Sequence, residues 1–155
     1  AAAGDITVWG VETAYVSGPF SVQAEYFDND TELVSGAKGY EWDGFYGQIS
    51  YILTGETRGY KWKGGKFDKI KPKGDIGAWE IVLRYEDISI DDSDEGTVAA
   101  QEVDVDRAVL GVNWYPAKTV KIMANYSSVS LSNEVNPGST TEDLDSFQLR
   151  AQYAF

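Results

Sequence analysis

Apolar and polar residues alternate along most of this chain, and the alternation restricts the fold more than any other feature of the sequence. Seven segments follow the two-residue period. They cover residues 6–17, 20–27, 43–54, 78–90, 105–115, 119–131 and 144–155. All four prolines lie outside these segments, where a missing N–H removes no ladder hydrogen bond. The pattern predicts an all-β chain of seven strands joined as an antiparallel meander.

The two faces of each predicted strand differ in polarity. In the last strand the apolar face carries Phe147, Leu149, Ala151, Tyr153 and Phe155, and the residues between them from 148 to 152 are polar. A soluble sandwich and a membrane barrel both produce such alternation. Aromatic residues gather near the strand ends on the apolar face, as they do at membrane interfaces. We therefore expect a transmembrane β-barrel, with a soluble β-sandwich as the alternative.

The connections between the predicted strands are of two kinds. Gly18-Pro19 and 116–118 are short turns, whereas 28–42, 91–104 and 132–143 are long, acidic and polar. Barrels of the bacterial outer membrane have short periplasmic turns and longer extracellular loops. We expect the acidic loops to face outward and to meet the divalent cations of the lipopolysaccharide layer. A dedicated calcium site within 28–32 or 91–95 is the alternative, because hard cations prefer several carboxylate oxygens.

The composition excludes several classes of function. The chain has no Cys and no His, so Ser-His-Asp or Cys-His catalysis and His/Cys zinc sites are impossible within it. A formal net charge of -12 at pH 7 disfavours nucleic acid as a partner, since DNA and RNA favour clustered Lys and Arg. We expect no enzymatic activity, no cofactor and no metal site.

Several stretches, read in order along the chain, resemble one family. They are Trp9-Gly10-Val11-Glu12, Gly18-Pro19-Phe20 continuing to Tyr26, Gly44-Phe45-Tyr46-Gly47 continuing to Arg58, Gly77-Ala78-Trp79-Glu80, Gly111-Val112-Asn113-Trp114-Tyr115 and Gln148-Leu149-Arg150-Ala151-Gln152. This set resembles the C-terminal half of the phosphate-selective porin O and P family. The resemblance implies an anion-selective, usually trimeric outer-membrane porin of about 16 strands. Residues 1–155 would then form the C-terminal portion of a single barrel domain.

Two further features agree with a portion of a larger barrel. Seven is an odd number, whereas bacterial single-chain barrels have even strand counts, so we expect the remaining strands of the same barrel to close it. The last strand, ending in Phe155, also resembles the C-terminal signal strand that the barrel-assembly machinery recognises in outer-membrane proteins. We expect the five apolar-face residues from Phe147 to Phe155 to act as that signal.

Seven basic residues are concentrated in one short stretch of the chain. They are Arg58, Lys61, Lys63, Lys66, Lys69, Lys71 and Lys73, against the single acid Asp68. Around Gly64-Gly65 the pattern predicts a small hairpin within residues 55–76, which the topology places at the periplasmic mouth. Two interpretations remain open. The hairpin is either a solvated turn, or it folds into the lumen and attracts anions through a constriction.

Four more basic residues lie on the polar face of the predicted strands: Arg84, Arg107, Lys121 and Arg150. Glu12, Glu25, Glu80 and Glu86 share that face and offset their charge. The four cations are candidates for lining an anion pathway. Pairing such as Glu80 with Arg84 is the structural alternative.

These observations predict a porin in the outer membrane of a Gram-negative bacterium. Its complete barrel would be a water-filled diffusion channel that prefers phosphate or other small anions, assembled as a homotrimer within the lipid bilayer. Two alternatives from other classes remain. One is a soluble all-β module that binds carbohydrate or calcium, and the other is a small self-closed barrel that acts as an anchor or adhesin.

Overall fold

The computed structural model describes residues 3–34, 38–92, 101–135 and 138–154. Within these residues the chain forms nine strands and one turn of 3-10 helix at Trp62–Gly64. The strands are β1 (Ala3–Ser17), β2 (Phe20–Leu33), β3 (Lys38–Ile52), β4 (Tyr60–Lys61), β5 (Lys66–Phe67), β6 (Ala78–Asp92), β7 (Gln101–Ala117), β8 (Val120–Val135) and β9 (Gly138–Tyr153). Among the described residues, no helix is long and apolar enough to cross a membrane.

The seven long strands form one antiparallel sheet in the order β1-β2-β3-β6-β7-β8-β9. Every strand pairs with its neighbour in the chain, apart from the short hairpin β4–β5 between β3 and β6. The seven predicted strands and their meander are confirmed. In the described sheet β1 and β9 lie at the two edges and do not pair with each other, so these strands do not close into a small barrel.

The long strands extend further than the sequence predicts at the ends away from the short turns. Each has 14–17 residues, whereas crossing a bilayer requires about 9–11. Most of the predicted loops 28–42 and 132–143 is therefore strand, with Asp30 opposite Glu41 and Ser132 opposite Thr141. Backbone pairing continues there because ladder hydrogen bonds do not depend on side-chain polarity. Within 91–104, residues 93–100 lie outside the described part of the chain.

Pro116 lies inside β7, not after it as predicted. The register of β7 against β8 shifts between Trp114 and Ala117. Proline cannot donate a backbone hydrogen bond, so it fits a position where the ladder is already interrupted.

The burial of the sheet is the reverse of that in a soluble sandwich. On the apolar face Leu83 is 54% exposed and Leu149 is 70% exposed. On the polar face Glu80 is 0% exposed and Asn113 is 6% exposed. A soluble half-buried sheet covers its apolar face, whereas the wall of a membrane barrel presents that face to lipid. The described sheet therefore has the polarity of a barrel wall.

Aromatic side chains form two rows across the apolar face, one toward each end of the strands. Near the short turns the indole rings of Trp79 and Trp114 stack with centroids 5.6 Å apart. Toward the other end, the Phe45 and Tyr85 rings lie 5.9 Å apart. Aliphatic residues lie between the rows, with Leu83 paired opposite Leu110. This arrangement matches the aromatic girdles that flank the apolar band of outer-membrane barrels.

Candidate functional site

Residues 53–77 connect β3 to β6 on the polar side of the sheet, and we call them the inward segment. The segment begins at the end that carries the short turns, where the Ile52 N–H donates to the Pro19 carbonyl at 3.0 Å. It returns there too, because the Trp114 indole N–H donates to the Ile76 carbonyl at 2.8 Å. The basic stretch therefore lies at the short-turn end of the sheet.

The hairpin predicted around Gly64-Gly65 is present but smaller than expected. Tyr60 pairs with Phe67 and Lys61 with Lys66, so each strand has two residues. The connection is the 3-10 turn rather than a two-residue Gly-Gly turn. Gly65 adopts a φ of 56° and its N–H approaches the Trp62 carbonyl at 3.5 Å. Such a left-handed conformation favours glycine, so Gly65 ends the turn.

The hairpin lies over the polar face of β1 and β2. A groove of about 360 Å³ separates them, lined by Glu12 and Gln23 from the strands and by Tyr60, Trp62 and Phe67 from the hairpin. The Tyr60 ring makes edge contacts with Trp62 and Phe67, with centroids 5.1 and 5.5 Å apart. These aromatic contacts hold the hairpin together, since two residue pairs alone do not make a stable ladder.

The rest of the inward segment covers β3, β6 and β7. Ile70 is 3% exposed and packs with Ile52 and Ala78, with Tyr115 against the cluster. The Arg58 guanidinium pairs with the Glu80 carboxylate and lies 5.3 Å from the Phe67 ring centroid. Contacts to β3, β6 and β7, together with the position of the hairpin over β1 and β2, therefore hold the segment and its seven basic residues on the polar face.

Two of the seven basic residues of the inward segment form ion pairs. Arg58 pairs with Glu80, and Lys61 pairs with Asp68 at 2.8 Å. Among the described residues the other five form no ion pair, and their side chains are exposed: Lys63, Lys66, Lys69, Lys71 and Lys73. The segment therefore presents more positive charge to solvent than it neutralises.

Of the four basic residues on the strands, two form ion pairs and two do not. Arg84 pairs with Glu86 and lies over the Tyr46 ring at 3.7 Å, and Arg107 lies 3.6 Å from the same Glu86. Lys121 and Arg150 form no ion pair within the described chain. Arg58, Arg84, Arg107 and Lys121 all line one groove of about 240 Å³, whereas Arg150 is exposed on β9.

The suggested pairing of Glu80 with Arg84 is wrong. Residues four apart in a strand are about 13 Å apart along its axis, which exceeds the reach of an ion pair. Glu80 pairs instead with Arg58, 22 residues earlier in the chain. No feature of the sequence connects those two residues, because the inward fold of the segment brings them together.

Glu56 is a second buried acid of this site, and no sequence pattern singles it out. It is 2% exposed, and it accepts hydrogen bonds from the Thr54 hydroxyl and, at 3.1 Å, from the Lys73 N–H. Burial raises the pKa of Glu56, but these hydrogen bonds and the Lys73 charge outweigh it and leave the pKa below the ordinary 4.5. Glu56 thus ties the two ends of the segment together.

Asp68 stabilises the hairpin in the same manner. The Lys61 ammonium and the Lys69 N–H, each 2.8 Å from the carboxylate, lower the pKa of Asp68. The Asp68 N–H also donates to the Gly59 carbonyl at 2.7 Å. The single acid of the basic stretch therefore closes the base of the hairpin.

The acidic stretch 28–32 does not form a calcium loop. It lies in β2, where Asp28 is opposite Asp43 and Asp30 is opposite Glu41. Asp28, Asp30 and Glu32 share one face of this extended strand with about 6.6 Å between successive members, so they form a row along the strand rather than a loop that wraps around a cation. The described residues include no group of three or more acids placed to hold a metal ion. The second stretch, 91–95, lies largely outside the described residues.

The apolar residues of the last strand share the outward face of β9. Phe147, Leu149 and Tyr153 are 73%, 70% and 68% exposed, and Ala151 is exposed beside them. Phe155 lies outside the described residues. Four of the five predicted signal residues thus lie on one face.

Comparison with known proteins identifies the family. The family described as phosphate-selective porin O and P matches residues 1–155. Porin O of Pseudomonas aeruginosa is 41% identical over 97% of this chain and 36% of its own length. An uncharacterized protein of Caulobacter vibrioides is 32% identical over 76% of this chain and 23% of its own length.

The chain thus spans about a third or less of each of these relatives. Their similarity agrees with the exposed apolar face and the antiparallel meander, which fit part of a barrel wall. The chain belongs to the phosphate-selective porin O and P family.

Proposed function

We propose that the complete barrel is a water-filled diffusion channel that prefers small anions, phosphate among them. One observation carries the proposal. On the polar face seven cations have no ion-pair partner among the described residues, whereas of the four strand acids named on that face Glu80 and Glu86 are paired and only Glu12 and Glu25 have no ion pair. The inward segment would narrow the lumen at its periplasmic end and supply five of those cations.

Membership of the family bears on the localisation and the class of the protein. The family consists of outer-membrane proteins, and its members are channel proteins rather than enzymes, so the expected localisation and the non-enzymatic class are confirmed. The same membership and the exposed apolar face disfavour a soluble carbohydrate- or calcium-binding module. The unpaired edges of the sheet disfavour a small self-closed barrel.

Electrostatics supports a preference for anions at the inward segment. Clustered charge acts most strongly where a pathway is narrow and its walls have a low dielectric constant. Lysine is a compact point charge that attracts phosphate without the fixed geometry of a guanidinium group. At the other end of the strands the mouth of the complete channel would be wide and aqueous, so at a Debye length of about 8 Å the repulsion of anions by the acids there would be largely screened.

The strand cations would continue the pathway along the wall. Lys121 lies 5.4 Å from the Tyr115 ring and lines the same groove as Arg58. Arg84 and Arg107, both held by Glu86, would contribute a weaker field. We therefore assign the anion-attracting role chiefly to the inward segment, Lys121 and Arg150.

The proposal includes the partners that a complete porin requires. The remaining strands of the same barrel would pair with the free edges of β1 and β9. The outward face would contact the lipid bilayer, and the acidic strand ends would meet lipopolysaccharide. Insertion would use the barrel-assembly machinery, and three copies would form the mature porin. Crosslinking of the full-length protein in outer-membrane preparations tests the trimer.

Reversal potentials of the full-length protein in planar bilayers test the proposed selectivity. Under a potassium chloride gradient we expect a weak to moderate preference for anions. The preference should grow as the salt concentration is lowered, because the Debye length increases. A cation preference at low salt would contradict the proposal.

A further inference from the structure

Glu80 is the most completely buried charged residue among those that the structure describes. Its side chain is 0% exposed although the surrounding face is polar. One carboxylate oxygen accepts hydrogen bonds from the Asn113 amide at 2.9 Å and from the Tyr115 hydroxyl at 2.7 Å. The other carboxylate oxygen accepts a hydrogen bond from the Arg58 guanidinium. A buried carboxylate is costly unless its oxygens are satisfied, and here both are.

The partners of Glu80 come from two different parts of the fold. Asn113 and Tyr115 belong to β7 and are fixed in the wall. Arg58 belongs to the inward segment. In the described chain it is the only residue of that segment that binds Glu80. The ion pair therefore joins the segment to the wall at one point.

A second attachment lies on the other side of the hairpin. Ile70 packs with Ile52 and Ala78, and its neighbour Tyr115 is also a donor to Glu80. Arg58 and Ile70 thus flank β4 and β5 in the sequence and are held against the same region of the wall. The lysines of the hairpin therefore lie between two flanking residues, Arg58 and Ile70, that are both held against the wall.

We propose that Glu80 is a positioning residue that holds the basic inward segment over the lumen wall. This inference rests on the proposed function and deepens it. Although Glu80 carries a negative charge, it would increase anion preference, because it keeps the cations of the segment in the pathway. Without it the hairpin would swing away from the wall, the lumen would widen and its field would weaken.

The sign of the selectivity change separates positioning from simple electrostatics. Glu86 is a matched control, because it lies on the same strand and face, pairs with Arg84 and Arg107, and forms no ion pair with the segment among the described residues. Glu86→Gln removes a negative charge and should raise anion preference. Glu80→Gln removes the same charge but should lower anion preference and raise single-channel conductance about twofold.

A distance measurement tests the position of the segment independently of transport. The described sequence contains no cysteine, so spin labels can be attached through Lys63→Cys on the hairpin and Thr13→Cys on β1. In the full-length protein, the distribution of label-to-label distances should be narrow in the parent protein and in Glu86→Gln. It should broaden and shift to longer distances in Glu80→Gln.

Each result has a defined meaning. A folded Glu80→Gln variant with a narrow distribution and a rise in anion preference equal to that of Glu86→Gln would overturn the inference. If Glu80→Gln fails to insert, Arg58→Gln tests the same ion pair from the segment side, and an unchanged distribution there would overturn it. A broadened Glu80→Gln distribution in a barrel whose parent form prefers cations would support the positioning role while contradicting the proposed function.

Discussion

Gly77 ends the inward segment in a conformation that glycine adopts more readily than other residues. Its φ is 77°, and a Cβ added there would lie 2.4 Å from the Tyr115 carbonyl oxygen. Gly77→Ala should therefore destabilise the folded barrel by about 1–3 kcal/mol. Gly74 has no atom within 4 Å of an added Cβ and no positive φ, so Gly74→Ala should change stability by less than about 1 kcal/mol.

Urea unfolding of the full-length protein in lipid vesicles, followed by gel mobility, compares these two alanine variants. Equal unfolding midpoints would mean that the backbone at Gly77 rearranges without cost.

Glu56 should make the inward segment sensitive to acid. Because its pKa is lowered below 4.5, its stabilising contribution is complete above pH 4.5 and is lost as the pH falls through the lowered pKa. Protonation weakens the hydrogen bonds that Glu56 accepts from Thr54 and Lys73. Pepsin cleavage of the segment should therefore increase toward low pH within about pH 2–5.

Glu56→Gln provides the control for this pH dependence, because glutamine has a similar shape and does not titrate. The ratio of cleavage rates between parent and variant should change across that range. A constant ratio would show that other acids control the opening of the segment.

Whether a residue's surroundings could be predicted depended on how far along the chain its contact partners lie. The alternation of side chains separated polar-face from apolar-face residues correctly, because strand geometry alone determines which residues share a face. The contacts of Glu80 and Glu56 were not predictable, because they depend on where a non-repetitive segment folds. The ion pair of Lys61 with Asp68 was not predictable from strand register, because Lys61 lies opposite Lys66 and Asp68 follows the end of β5.

At the level of single strands, the polarity of the two faces predicts opposite tolerance to charge. Leu149 and Gln148 are adjacent in β9 and lie on opposite faces. Leu149→Arg should destabilise the inserted barrel by about 2–4 kcal/mol if Leu149 lies near the bilayer midplane, whereas Gln148→Arg should cost less than about 1 kcal/mol. Equal costs in a vesicle-folding assay would contradict the assignment of the faces.

The apolar face of the last strand leads to a separate prediction about assembly. Replacing Tyr153 with Asp and deleting Phe155 should reduce insertion of the full-length protein in cells more than folding into detergent. The reason is that the proposed signal is read by the assembly machinery, which detergent folding bypasses. Immunoblots of outer-membrane fractions, compared with detergent refolding yields, measure both. An equal loss in the two assays would mean that these residues act through packing alone.

Strand number and pairing order were predictable, but strand ends were not. Two-residue periodicity and the short turns identify each strand where one face is apolar. Beyond the apolar band both faces meet water, so periodicity disappears although the backbone ladder continues, as at Asp30 opposite Glu41. The acidic ends of the strands were for that reason mistaken for loops.

Considered as a whole, the molecule separates its charges along the strand axis. Unpaired lysines lie at the short-turn end, and acids concentrate at the opposite end. The resemblance to the porin family predicted an outer-membrane porin. The sequence left open whether the basic hairpin was a solvated turn or folded inward. Strand parity cannot answer that question, and the contacts of Ile70 and Arg58 with the sheet support the inward fold that we propose.

Reversal potentials of two charge variants test the central claim, that the inward segment controls ion preference. The first variant replaces Lys61, Lys63, Lys69 and Lys71 with Gln. The second replaces the acids Asp91, Asp92, Asp94 and Glu95 with their amides, at the opposite end of the strands and in the adjoining residues outside the described structure. The full-length proteins are compared in planar bilayers under a salt gradient at low ionic strength.

The lysine variant should lose or invert the anion preference, because the field in a narrow pathway depends on the charges that line it. The acid variant should change little, because in the proposed channel the outer mouth is wide and aqueous and charges there would be screened. If the lysine variant instead matches the parent protein while the acid variant shifts strongly, the basic segment is a solvated turn and the outer acids determine the charge preference of the channel.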